Sequence, residues 1–173
     1  LRSRGLDRWL SEQMNHGSRI VGVCGGFQMM GEAIHDPDSV ESNVGSTPGL
    51  GLLPVTTRLA REKTTRTVSA RTPSGLAFDA YEIHMGVTSI DEDGSEPFAL
   101  LEDGTRDGMR RGQAIGTYLH GAFENQGVIE ELLGYPVSEF HGGKQFQYDR
   151  LADWFAEYVD YDVFLREYVE SGV

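Results

Sequence analysis

The sequence predicts an α/β fold, a sheet with flanking helices and a sharp strand-to-helix bend at its carboxyl edge. Three observations carry this expectation. The apolar, β-branched run RIVGVC ends at Cys24 and passes without a spacer into a segment of helical apolar spacing. β-rich segments separated by turns containing Gly, Pro and Asp fill the middle of the chain. Helical periodicity stands at both ends.

In order along the chain, Leu6, Trp9, Leu10 and Met14 recur at helical spacing and Gly17 supplies a stop. The chain opens Leu1-Arg2-Ser3 inside what reads as this helix, so we expect a C-terminal piece of something longer, with upstream strands absent. RIVGVC reads as a buried strand, and Phe27, Met30 and Ile34 as one helix face after it. The stretch DPDSVESNVGSTPGLG is a loop long enough to expect near a site. Segments 52–58, 64–71, 77–83, 97–102 and 113–119 read as strands, separated by TPSG, DEDG and EDGTRDG turns. Leu151, Trp154, Phe155, Tyr158 and Val159 form a helical stripe that we expect to pack in the core. No repeat or internal boundary stands out, and residues 1–173 read as one domain.

Composition narrows the function classes. With 15 basic against 27 acidic residues the net charge is -12, which argues against nucleic acid or an anionic membrane surface as the main partner. No apolar run approaches the ~20 residues that span a bilayer, and no signal-peptide pattern opens the chain. The single cysteine rules out an internal disulfide and fits a reducing compartment, so we expect the cytoplasm. Histidines at 16, 35, 84, 120 and 141 lack paired metal-ligand spacing, which argues against a metal site.

The one thiol sits in GVCGGFQMMG, with Gly22 and Gly26 two residues to either side. This is a G-x-C-x-G elbow at a strand-to-helix junction, where the bend strains the backbone and demands small neighbours. A helix N-terminus at the sulfur should lower the Cys24 pKa, and the Gly25 N–H is placed to donate to an oxyanion. Gln28 extends the pattern to G-x-C-x-G-x-Q. A thiolate nucleophile needs a proton-transfer partner. His84 in YEIHMG and His120 in GTYLHGAF both read as strand-end residues before a Gly or Met-Gly. One is expected as the base and the other as a lining residue.

Taken in order, GVCGGFQMMG, YEIHMG and GTYLHGAF, with the tail YDRLADWFAEYVDYDVFL, resemble the glutamine amidotransferase domains of the cobyric acid synthase family over nearly the whole chain. The resemblance implies a class I glutamine amidotransferase-like, flavodoxin-like sheet. It puts the nucleophile at Cys24 and the acid/base at His120. It implies a glutaminase, with Gly25, Gln28, His84 and Gly86 in glutamine recognition and oxyanion binding. Ammonia would go to adenosylcobyrinic acid a,c-diamide, forming adenosylcobyric acid in cobalamin biosynthesis. No cofactor is expected in this domain; ATP and Mg2+ are expected in an N-terminal synthetase domain, the partner that also binds the corrinoid acceptor. Ordinary class I members carry a glutamate two residues after the histidine, where this chain has Ala122, so the resemblance implies a Cys-His dyad. Glu82 and Glu124 are the local carboxylates for a third role. The loop giving a second oxyanion donor would lie upstream of Leu1. Two other readings stay open: an amidotransferase for another acceptor, such as cobyrinate or lipid II, and a free-standing cysteine hydrolase on the same fold.

Overall fold

The computed structural model describes residues 1–90, 95–138 and 144–170; the expected DEDG turn at 91–94 and His141 lie outside them. The chain divides into two compact units, Leu1–Ala122 and Phe123–Val173.

In the first unit, helix α1 (Leu6–Asn15) ends at His16, before Gly17, whose φ of 88° takes the chain out of the helix. Strand β1 (Ile20–Val23) follows and leads through Cys24 into helix α2 (Gly25–Met30). The helix is shorter than the spacing of Phe27, Met30 and Ile34 suggests. Ile34 lies in β2 (Ala33–His35), because Gly31 is extended and packs where a Cβ would meet the Val55 carbonyl oxygen at 2.5 Å. The long loop then holds the short strand β3 (Ser46–Pro48). The Asp36 carboxylate organises that loop by accepting N–H bonds from Val40, Glu41 and Ser42 at 2.7, 3.0 and 2.9 Å.

The middle of the chain departs most from the pattern. What reads as separate segments at 52–58 and 64–71 is one strand, β4 (Val55–Arg71), irregular between Leu59 and Thr64. Arg61-Glu62-Lys63 is polar but holds no Gly or Pro, so nothing ends the strand. Likewise β5 (Ala77–Ile90) runs on through Gly86, pairing antiparallel with β4 across the expected TPSG turn. Strands β6 (Ala99–Leu101), β7 (Arg106–Asp107), β8 (Met109–Arg111), β9 (Ala114–Thr117) and β10 (Leu119–His120) complete the unit.

These strands form two sheets. A three-stranded sheet has the order β1-β9-β8, with β1 and β9 parallel in the register Val23↔Thr117. A seven-stranded sheet runs β10-β5-β4-β2-β3, with β6 attached at β4 and β7 at β6. Strand β1 is less buried than an apolar run implies: Gly22 faces α2, while Val21 on the other face is 41 % exposed. One core cluster joins Phe27 and Met30 of α2 to Leu53, Val55, Met109, Ala114 and Tyr118, with Met14 of α1 packed against it. Each large apolar side chain buried there contributes roughly 1.5–3 kcal/mol.

The second unit holds helices α3 (Gln126–Leu133), α4 (Lys144–Tyr158) and α5 (Tyr161–Phe164). The stripe expected as core is helical, but Leu151, Trp154 and Tyr158 are exposed; the Trp154 and Tyr158 rings meet each other at 5.8 Å, and Phe155 meets Phe164 at 5.0 Å edge to face. Among the described residues no helix is long and apolar enough to cross a membrane.

Candidate functional site

The elbow is built by close approach. A Cβ on Gly22 would lie 2.5 Å from the Met30 sulfur and 2.7 Å from the Gly26 carbonyl, so only glycine lets β1 and α2 meet at this angle. Gly25 and Gly26 differ from that expectation: a Cβ on either would enter open space. Between them and Gly22, Cys24 takes φ 52° and ψ −113°, a conformation that costs an L residue about 1–3 kcal/mol. Its N–H donates to the Thr117 carbonyl at 2.8 Å, continuing the β1–β9 pairing, and its carbonyl accepts the first helical bond from Gln28 at 3.1 Å.

The half-buried Cys24 thiol donates to the Ile83 carbonyl at 3.3 Å. Contrary to the expected fall, its pKa is raised: burial pushes it up, the Gly25 N–H pulls it down, and the Glu41 carboxylate pushes it up again. One helix terminus of a six-residue helix does not outweigh desolvation. The donor bond to Ile83 also exists only in the thiol form, which favours the proton staying on sulfur. Glu41 belongs to the loop that Asp36 organises, so that loop does act on the site. We therefore expect Glu41→Gln to move the midpoint of Cys24 alkylation by iodoacetamide to lower pH with the limiting rate unchanged. An unmoved midpoint would remove Glu41 from the electrostatics of the thiol.

The two histidines are placed differently. His84 lies within β5, not at a strand end. Its Nδ1 is 2.8 Å from the Gly86 carbonyl, its Nε2 is 3.6 Å from Glu82 Oε1, and its ring stacks on Tyr118 at 3.9 Å. His120 closes β10, as expected, and stacks on Tyr81, its register partner, at 5.2 Å. Its Nε2, like that of His84, is buried with no hydrogen-bond partner among the described residues. Short stretches of paired strand connect it to the thiol. Cys24 bonds Thr117 and Ile83, and His120 lies three residues beyond Thr117, opposite a residue two before Ile83. Glu82 does not serve His120. It pairs with Leu119, so alternation puts it on the other face of β5, where it binds Arg66 and approaches His84.

Gln28, His84 and Gly86 do come together, but in the interior. Gln28 is 8 % exposed and donates to the Tyr118 hydroxyl at 3.3 Å. A Cβ on Gly86 would lie 2.3 Å from the Gln28 amide nitrogen. The Tyr118 hydroxyl also contacts Thr88 at 2.6 Å, and Thr88 contacts Thr57 at 2.8 Å. Burial raises the Tyr118 pKa; its bonds to Thr88 and Gln28 oppose this, and the nearby Cys24 adds to it.

Sequence reasoning missed Asp107, hidden in what reads as an EDGTRDG turn. It is 4 % exposed, accepts from the Thr117 hydroxyl, and accepts the Tyr118 N–H at 3.1 Å. Burial pushes its carboxyl up to about 6, against the Thr117 and Tyr118 bonds and helped by Glu82. An unfolded aspartate titrates near about 3.9. Between these values the folded chain holds a proton the unfolded chain has lost, so stability falls as pH rises from about 4 to about 6. The two-unit interval is worth about 3 kcal/mol. Urea unfolding from pH 4 to 7.5 should show this fall in the wild type relative to Asp107→Asn; parallel curves would contradict it.

Comparison with known proteins fits the geometry. The model of the CobB/CobQ-like glutamine amidotransferase domain matches residues 1–128. A cobyric acid synthase of Parabacteroides distasonis is 38 % identical over 100 % of this chain and 36 % of its own length. Those of Paracoccus denitrificans and Rhizobium rhizogenes are 38 % and 43 % identical over 94 % and 77 % of this chain, and 34 % and 28 % of their own lengths. The chain thus spans about a third of the length of the curated relatives it matches. A crystal structure described as a glutamine amidotransferase superposes with a TM-score of 0.57 at 19 % identity, over 77 % of this chain and 70 % of that one, a likeness of fold. With the family model covering most of its length and the elbow in place, the chain belongs to the CobB/CobQ-like glutamine amidotransferase domain family.

Proposed function

We propose that this chain is the glutaminase part of an amide-forming synthase: it hydrolyses glutamine at Cys24 and supplies ammonia for amidation of a corrinoid carboxylate. The observation that carries the reading is the strained Cys24 at the β1–α2 elbow, beside the strand joint that leads to His120, whose Nε2 has no hydrogen-bond partner among the described residues.

The raised thiol pKa shapes the chemistry. The sulfur rests protonated at neutral pH, so attack needs a base. His120 takes the thiol proton as sulfur bonds to the amide carbon of the glutamine side chain. The Gly25 N–H, which lies beside the Cys24 sulfur, donates to the developing oxyanion. His120 returns the proton to the leaving nitrogen, the C–N bond breaks, and ammonia departs. Water then gives a proton to His120 and adds to the thioester, releasing glutamate and the Cys24 thiol. The His84–Glu82–Arg66 group stands behind this site as support.

The acceptor reading rests on the cobyric acid synthases, in which a domain like this one occupies about a third of the chain. The ammonia would be used by a region outside this chain. The test is incubation with glutamine, with glutamate and ammonia measured and hydroxylamine added to trap the γ-glutamyl thioester as hydroxamate. Hydroxamate from the wild type is the expected result. Hydrolysis of peptide or ester substrates with none of glutamine would favour a cysteine hydrolase instead.

A further inference from the structure

Cys24 and His120 belong to different sheets. Cys24 follows β1, which pairs with β9. His120 sits on β10, which pairs with β5. One residue, Tyr118, separates β9 from β10. Besides the bond from the Cys24 thiol to the Ile83 carbonyl of β5, the backbone link between the two groups is the joint from Thr117 to Leu119.

Joints between sheets leave peptide N–H groups without ladder partners, and buried ones must be bonded otherwise. Here one carboxylate and one hydroxyl do it. Asp107 accepts the Thr117 hydroxyl with Oδ2 and the Tyr118 N–H with Oδ1 at 3.1 Å. The Thr117 Oγ1 in turn accepts the Leu119 N–H at 3.0 Å. Asp107 is itself held: it pairs with Ala99 in β6–β7, and its carbonyl accepts the Phe98 N–H at 2.9 Å. Asp107 is 4 % exposed and Thr117 and Leu119 are 0 % exposed. A buried carboxylate is a costly way to satisfy one N–H and one hydroxyl. What it adds is a fixed angle at the joint, from two oxygens in one plane gripping successive residues.

We propose that Asp107 is a positioning residue: through the Thr117 hydroxyl and the Tyr118 amide it locks the β9–β10 joint and so sets where the His120 imidazole stands relative to the Cys24 thiol. This rests on the glutaminase reading above.

The experiment compares Thr117→Val, Thr117→Ser and Asp107→Asn in the intact chain, assayed where circular dichroism shows each to be fully folded. Valine keeps the volume and loses the hydroxyl; serine keeps the hydroxyl and loses a methyl. Asparagine can still accept the Tyr118 N–H but cannot accept the Thr117 hydroxyl with its amide nitrogen. Thr117→Val and Asp107→Asn should lower kcat for glutamine by about 10- to 100-fold with KM nearly unchanged, since a small misplacement of a reacting group costs up to about 10²-fold. Thr117→Ser should stay near the wild-type kcat. Tyr118 and Leu119 amides should exchange faster, and the His120 ring resonances shift, in Thr117→Val but not in Thr117→Ser. Folded Thr117→Val or Asp107→Asn at wild-type kcat would overturn the proposal. If the wild type does not hydrolyse glutamine, the glutaminase reading fails by itself. The lock is then decided by exchange and the His120 resonances: equal behaviour of the valine and serine variants would overturn it.

Discussion

Cys24→Ala is expected to abolish glutamine hydrolysis and thioester trapping, a loss of at least about 10⁴-fold, while leaving the fold intact. Alanine keeps the Cβ and so inherits the strained backbone at φ 52° without adding to it. It removes the only thiol in the chain, the group proposed to bond covalently to the amide carbon. Removal of a nucleophile from a concerted set leaves only binding and oxyanion stabilisation. In a longer synthase carrying this domain, amidation from free ammonia should continue, since that route bypasses the thioester. Cys24→Gly sharpens the test of geometry. Glycine has no Cβ to strain, so it should be about 1 kcal/mol more stable than the alanine variant and equally inactive. Hydroxamate formed by either variant would mean that the thioester lies elsewhere.

His120→Asn is expected to lower kcat by about 10²–10⁴-fold, the usual loss for a positioned proton-transfer group. His84→Asn should act mainly on KM. The distinction comes from what each ring already does. His84 is engaged with the Gly86 carbonyl, close to Glu82 and stacked on Tyr118, so its change disturbs a packed support. The Nε2 of each ring is buried with no hydrogen-bond partner among the described residues, but that of His84 stands 3.6 Å from Glu82 Oε1, whereas His120 is held by stacking on Tyr81. The raised Cys24 pKa makes the loss sharper, because without a base the thiol rests protonated at neutral pH. Iodoacetamide alkylation checks this independently of glutamine: it should slow at neutral pH in His120→Asn and change little in His84→Asn. A kcat collapse in His84→Asn with His120→Asn active would exchange the two roles.

The elbow was legible in the linear sequence because its causes are local. Gly22 must be small where β1 meets α2, Cys24 must take the strained angle, and both requirements fall within a few residues. The same holds for α1 and its stop at Gly17, for the TPSG hairpin, and for His120 at the end of β10. The α/β class followed from these elements alone.

Contacts distant in sequence decided the rest. The division of the strands into two sheets depends on which edges pair, and neither β4 nor β5 announces that it continues past a polar triplet or a glycine. The direction of the Cys24 shift depended on burial and on Glu41, 17 residues away along the chain, outweighing a short helix. Gln28 and Gly86 were recognisable as a motif, yet their meeting on Tyr118 in the interior required α2, β5 and the β9–β10 joint to converge. Asp107 carried no signal, since an aspartate before glycine reads as a turn. By itself the sequence determined the G-x-C-x-G elbow and the local bend that presents its one thiol. Only the tertiary structure decided what faces that group, because a carboxylate's burial and its hydrogen-bond partners are properties of packing between strands remote in the chain.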